Sequence, residues 1–591
     1  MLKISKTKTI IAILFIVSTS LFAQGVSYEL TSFPNHFQLF PRDTSGGATV
    51  KVSGNILDLN YTKISVKLYR NGALHKNYEA PLSYIQNKAA FDLKPWIEAE
   101  LAEYKIELYV HQGTKATLLE ARDSLVAGDV YLIAGQSNSH PADKSVKYEN
   151  EFARTLGGQT AANNTKAYNP ADTLWGKANA HGFGLCAFCG QHLVGVWGLE
   201  LMKNIIETYK VPVCIINGGL GGSKIIGSLR DDNNPEGLGN SKGYGTMLYR
   251  TRKARVDKQV KAVFWHQGES DVGKPFSEYE VKFDKLYKAW HEDYSSIKNI
   301  YSYQINVGCG NDGTDDLPFR EGQRTLGEKY EDVTSMASVG FALRGDKCHY
   351  TKSACTLMGQ QAFRLLERDF YGATDTVDIT SPNIAQAYYT TNAHQSITLE
   401  FTGTNTMVLG NDTMGHNIKE AFYLDSLPNK VIKVEGVGNK VILTLDAPSQ
   451  ANGITYLPGD VYEGGGIYKG PFLKSSREVM ALSFHNFSLS EAPVSINGTI
   501  KEQKQGFFNY SSVERLEVTL VQQEGASITL ILRDLLGKEL FSKAYEVNHQ
   551  QYVISEPLSI TLTEGVYFLS VKQKTASHLN NIQTIRIYLQ P

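Results

Sequence analysis

Cysteine is scarce. Six cysteines in 591 residues cannot form the dense framework of a disulfide-stapled domain, although an oxidising compartment would permit single bridges. An excess of charge of one sign is missing as well. Lys and Arg number 59 against 60 Asp and Glu, so no whole-protein field gathers nucleic acid or an anionic membrane, and neither partner is expected. After the first residues no apolar run reaches the roughly 18 positions of a spanning helix, so no membrane span is expected in the mature chain. Heptads, low-complexity tracts and internal repeats are also absent, which removes coiled coils and solenoids.

What remains is the composition of a large globular protein, 42% hydrophobic and 20% charged. At roughly 100 to 200 residues per domain the length predicts several domains. At the start, Lys3, Lys6 and Lys8 precede an apolar stretch over 10–22 and then Ala23. This pattern reads as a secretory signal peptide, residues 1–23, cut after Ala23. The competing membrane anchor is too short and is interrupted by Ser18, Thr19 and Ser20.

Along the mature chain the hydrophobic grammar changes twice. Residues 24–125 hold short alternating runs such as ATVKVSG and YKIELYVHQ between turn residues, which predicts a β-sandwich. Over 126–372, VYLIAG, VPVCIIN, KAVFWHQ and NIYSYQINVG are nearly continuous apolar runs, as in strands buried on both faces. Between them lie helical spacings, with Trp197, Leu201 and Ile205 in one segment and Tyr279, Phe283, Leu286 and Trp290 in another. Strands alternating with helices predict an α/β domain with a mainly parallel sheet. Alternation returns over 373–488, predicting a second β-sandwich, and a further all-β segment fills 489–591.

Ligands of open α/β sheets bind beyond the carboxyl ends of the strands, so the residues after each run are the ones to inspect. The first run leads into Gly135-Gln136-Ser137-Asn138, where Ser137 is either a presented nucleophile or an ordinary helix cap. The second leads into Gly218-Gly219-Leu220-Gly221-Gly222-Ser223. This turn has neither the lysine of a P-loop nor dinucleotide spacing, and it is either a tight turn or a source of backbone N–H groups for an anion.

The third is His266-Gln267-Gly268-Glu269-Ser270-Asp271. There Gln267 can donate two hydrogen bonds, and Glu269 and Asp271 are either a metal or acid/base pair or caps of the following loop. The fourth is Asp346-Lys347-Cys348-His349. An Asp three residues before a His can fix its tautomer and leave the other nitrogen free as a base. His266 is the competing base, but within a buried strand it reads as a satisfied interior group. Cys186 and Cys189 are the one suggestive thiol pair. Only His192 and the distant Cys214 could complete a zinc set, so a local disulfide or two free thiols is expected instead.

Together the four places supply a nucleophile, a backbone donor, a side-chain donor and a base with its orienter, all at strand ends. GQSN at 135–138, GGS at 221–223, HQGESD at 266–271 and DKCH at 346–349 resemble the blocks of SGNH hydrolases. Within these they are most similar to the sialate O-acetylesterase and acetylxylan esterase branch of carbohydrate esterases. The resemblance implies a three-layer α/β/α, flavodoxin-like fold flanked by β-sandwiches. It implies Ser137 as nucleophile, His349 as base and Asp346 as orienter, with an oxyanion hole from Ser137, Gly221 and Gln267 and no cofactor or metal.

The last segment resembles the C-terminal sorting domain of type IX secretion, through DLLGKEL at 534–540, EGVYFL at 564–569 and the closing strand at 583–588. It lacks the usual Pro-Asn-Pro and offers Phe508-Asn509-Tyr510. The implied function is an exported, secreted or surface-bound serine esterase acting on an acetylated carbohydrate, with the type IX machinery as partner. The alternative is a surface carbohydrate-binding protein whose α/β core is catalytically idle. Specificity is expected from the loops 138–190, 223–245 and 309–320.

Overall fold

The computed structural model describes residues 25–589, apart from 162–163, 183–189, 240–241, 307–315, 412–415, 459–469 and short stretches beyond 491. The proposed signal peptide and the Cys186/Cys189 pair therefore lie outside the described residues. Contacts divide the chain into two units.

The first unit holds the described residues up to His36, with 47–98 and 102–126. It is built from antiparallel strands. Tyr28–Ser32, Val52–Ile56 and Ala89–Leu93 form one sheet, while Lys63–Arg70 pairs with both Ala73–Pro81 and Tyr104–Gln112. Period-two alternation drives the folding, because Tyr104, Ile106, Leu108 and Val110 are buried while the residues between them are not.

The second unit takes in 37–46, 99–101 and the chain from Ala127 onward. Its centre is a mainly parallel sheet made of β1 (Lys115–Gly135, within which the chain enters this unit), β2 (Ala153–Leu156), β3 (Trp175–Lys177), β4 (Val213–Asn217), β5 (Val260–His266), β6 (Asn299–Gln304) and β7 (Val333–Ala337). The order is β3-β2-β4-β1-β5-β6-β7, with only β3 antiparallel. β1 thus lies between β4 and β5, and the chain reverses its direction of travel across the sheet there. Such a reversal opens a crevice at the strand ends.

The longer helices between and after these strands are α1 (Val196–Tyr209), α2 (Gly243–Ala254), α3 (Phe276–Asp293), α4 (Leu317–Arg324) and α5 (Lys352–Phe370). Tyr131, Ile133, Ile215, Phe264 and Tyr303 share one core with Trp197, Leu201, Met358 and Ala362 of α1 and α5. Their neighbours Ala134 and Trp265 point the other way, toward Tyr244 and Met247 of α2 and Leu286 and Trp290 of α3. Strands covered on both faces must be apolar throughout, as the continuous runs require.

Beyond α5 a second all-β region begins. A four-stranded antiparallel sheet (Asn383–Tyr389, Ser396–Thr402, Lys440–Leu445, Val431–Val437) faces a core completed by shorter strands, among them Gly453–Tyr456 and Phe484–Ser488. Ala337, the last residue of β7, and Val339 just beyond it belong to that same core. Leu489 and Ser490 are still bonded to this region, through Asn452 and through Ala387 and Tyr389. The last segment forms two antiparallel sheets. One contains Ser495–Gln505, Phe508–Val521 and Gln551–Leu562, the other Ala526–Asp534, Glu539–Val547, Gly565–Lys574 and Asn581–Leu589. Among the described residues, no helix is long and apolar enough to cross a membrane.

Candidate active site

β1 ends at Gly135, whose φ of +136° lies where side chains are strained; a Cβ there would collide with the His266 carbonyl of β5. Glycine lets the two strands stay paired to their tips, Gly135 opposite His266. The next residues turn sharply into a single 3-10 turn, Ser137–Ser139, which leaves Ser137 partly exposed at the sheet's edge.

Ser137 Oγ lies 2.8 Å from His349 Nε2. On the other side of that ring, Nδ1 is 2.8 Å from Asp346 Oδ2. Asp346 Oδ1 accepts the N–H groups of Cys348 and His349 at 3.0 and 2.9 Å. Burial raises the Asp346 pKa, but these N–H groups and the imidazole outweigh it and hold the carboxyl below its ordinary value. An ionised carboxylate only accepts, so the His349 proton sits on Nδ1 and Nε2 is free to take the Ser137 proton.

The Gly-rich turn after β4 is tied to β1. Leu220 N–H donates to the Gly135 carbonyl at 2.9 Å and Gly218 N–H to Ile133 at 2.8 Å, while Gly219 N–H is taken by Asn217 Oδ1 at 2.9 Å. Among the described residues the Gly221 N–H meets no backbone acceptor. Gln267 follows β5 and is fully buried. Its Nε2 faces Asp271 Oδ2 at 2.6 Å, Ser223 O at 3.1 Å and Gln136 Oε1 at 3.2 Å. Two hydrogens thus serve three acceptors, and Asp271 fixes which way the amide points. To reach a substrate oxygen, this amide must release Ser223 or Gln136.

Glu269 and Asp271, adjacent in reading, part in space. Asp271 Oδ2 also accepts the Ile225 N–H at 2.8 Å, so it braces the Gly-rich loop. Glu269 Oε1 instead accepts from Asn138 Nδ2 at 2.8 Å and lies 3.2 Å from His266 Nε2. His266 is fully buried and stacked on Tyr303, ring centroids 4.8 Å apart. Cys348 forms a disulfide whose other half lies outside the described residues, while Cys214 and Cys355 are free and buried. Burial pushes both free thiols up to about 12, so they stay protonated and inert.

Residues 127–367, which carry this whole arrangement, match the family model described as "Carbohydrate esterase, sialic acid-specific acetylesterase". The chain carries a carbohydrate esterase domain. A probable carbohydrate esterase of Arabidopsis thaliana is 25% identical over 250 residues, 41% of this chain and 90% of its own length. A carbohydrate acetylesterase from Xanthomonas citri shares the fold at 15% identity, with a TM-score of 0.52, over 78% of this chain and 99% of its own.

Three polar residues of the esterase domain escaped the reading of the strand ends. Asn138 is buried beside the serine, and its Nδ2 also reaches the Cys348 carbonyl at 3.1 Å. Asn217 is buried at the end of β4 and donates to Ser139 O and Val194 O. His140 is enclosed; burial, with a smaller contribution from the His349 charge, drives its pKa down to about 4 against one opposing backbone bond. Asn138 stood inside GQSN and Asn217 closed an apolar run, so position alone could have marked both.

Proposed function

We propose that the chain is an exported serine esterase that removes O-acetyl groups from a carbohydrate through an acetyl-enzyme, with its central domain a three-layer SGNH fold. The observation that carries the reading is the Ser137–His349–Asp346 relay, with 2.8 Å at both contacts, at the end of the strand where the sheet order reverses. Ser137 Oγ attacks the acetyl carbonyl while His349 Nε2 takes its proton, and Asp346 stabilises the imidazolium. The oxyanion is met by the Ser137 and Gly221 N–H groups and by Gln267. His349 then protonates the departing sugar oxygen, and water, activated by the same imidazole, releases acetate. Export rests on the lysine-led apolar segment at 1–23 and on the likeness of 489–591 to a type IX sorting domain, which leads to the cell surface or medium.

Released acetate from acetylated xylan and from O-acetyl sialic acid tests the reaction and its substrate together. Ser137→Ala should abolish release while the fold persists, and His349→Ala should lower turnover by roughly 10³-fold or more. Wild-type turnover in a folded Ser137→Ala protein would overturn the reading.

A further inference from the structure

We propose that Asn138 is a positioning residue for the Ser137–His349 pair, its side-chain amide oriented by the buried Glu269 and holding the histidine loop through the Cys348 carbonyl. The inference rests on the serine esterase reading.

Asp346 cannot place His349 against the serine. It sits three residues away in the same loop, and its three bonds all go to Cys348 and His349, so it turns the ring relative to the loop and moves with it. The loop's other internal ties, Arg344 N–H to His349 O and Arg344 Nε to Tyr350 O, share that limit. The loop is also open to solvent: the Asp346 and His349 side chains are 49% and 40% exposed, and Lys347 stands at φ +61°.

The Cys348 disulfide and the buried Tyr350 tie the loop to the rest of the molecule, and the Asn138 amide adds a hydrogen-bonded tie that runs from beside the nucleophile itself. One hydrogen of Nδ2 goes to Cys348 O, next to the base, and the other to Glu269 Oε1. Asn138 directly follows the nucleophile and is itself pinned, because its own carbonyl accepts from Trp197 Nε1 at 3.1 Å. Glu269 determines the sense of the amide. Burial raises its pKa, but His266 and the Asn138 bond outweigh that and keep it ionised. A buried anion accepts only, so the nitrogen of Asn138 must face it and the second hydrogen is left for Cys348.

Displacing a reacting pair by about 1 Å can lower a rate by about 10²-fold. Asn138→Ala should therefore reduce kcat on 4-nitrophenyl acetate by roughly 10²-fold, with KM within about twofold of wild type. The deciding variant is the double exchange Asn138→Asp with Glu269→Gln. It keeps a hydrogen bond between positions 138 and 269 with donor and acceptor reversed, but turns a carboxylate on the Cys348 carbonyl. The melting temperature should return toward wild type while kcat stays low.

Recovery of kcat together with stability would mean that packing alone mattered and would overturn the proposal, as would a folded Asn138→Ala protein with wild-type kcat. Should Asn138→Ala not fold, Asn138→Ser, whose one short donor cannot span both acceptors, carries the same comparison. Ser137→Ala is measured alongside. If it is inactive while Asn138→Ala is not, this inference alone fails; if it is active, the esterase reading fails with it.

Discussion

His140 carries the clearest pH signature at the scale of single residues. Its folded pKa of about 4 lies below the ordinary histidine value of 6.5, so the unfolded chain takes up a proton first as pH falls. Stability is then lost from pH 6.5 down to about 4 and no further below, a loss of about 3 kcal/mol over that window. His140→Asn should flatten the pH dependence by that amount, read by chemical denaturation at pH 7 and 4.5; an unchanged slope would place the titrating group elsewhere. Ser137, Asp346 and His349 could be picked out in the sequence because what marks them is local: a serine at a strand end, and a three-residue spacing that a loop can close on itself. Glu269 and Asp271 could not be told apart, because their partners Asn138 and Ile225 come from the turns that follow other strands.

At the scale of elements, the junction of β1 and β5 is the most sensitive. The Cβ of Gly135→Ala would collide with the His266 carbonyl, and the backbone conformation alone would cost about 1–3 kcal/mol. We expect a marked drop in melting temperature and in soluble yield, with residual activity following the folded fraction. A wild-type melting curve would show that the strand tips can part without harm. The runs that became β1, β4, β5 and β6 were legible because a strand covered on both faces has no polar side to interrupt it. The edge strands β3 and β7 and the short strand β2 beside β3 were not read. They have three to five residues, and β7 carries half-buried Thr334 and Ser335, so no period is long enough to detect.

For the whole molecule, the second all-β region is bonded into the esterase domain. Gln304 Nε2 donates to Ser483 O while its Oε1 accepts from Ser483 N–H; Arg320 donates to Ser483 Oγ and Leu457 O. All three side chains are buried. Removing everything after 372 strips these partners from Gln304 and Arg320, although Asp316 still pairs with Arg320 at 3.3 Å, and each buried polar group left unsatisfied costs about 1–3 kcal/mol. A chain of 24–372 should therefore be insoluble or inactive. One ending after Glu491, which keeps the Leu489 and Ser490 bonds, should release acetate like the full chain. In a host with type IX secretion this longer truncation should stay in the periplasm, as fractionation would reveal; normal amounts outside the cell would reject the sorting role. A soluble, active 24–372 protein would show the all-β region to be dispensable.

Periodicity and local spacing are properties of neighbours in the chain, and they determined the class of each segment, four strands of the central sheet, the serine at its turn and the Asp346–His349 pair. Which strand lies beside which depends on crossovers far longer than any local pattern, so tertiary structure alone brought His349 to Ser137 across 212 positions. It likewise sent two nearby carboxylates to opposite sides of the site and turned Gln267 toward Asp271. Hydrogen bonds of this kind reward only the folded approach of distant groups, and no pattern within a segment records them.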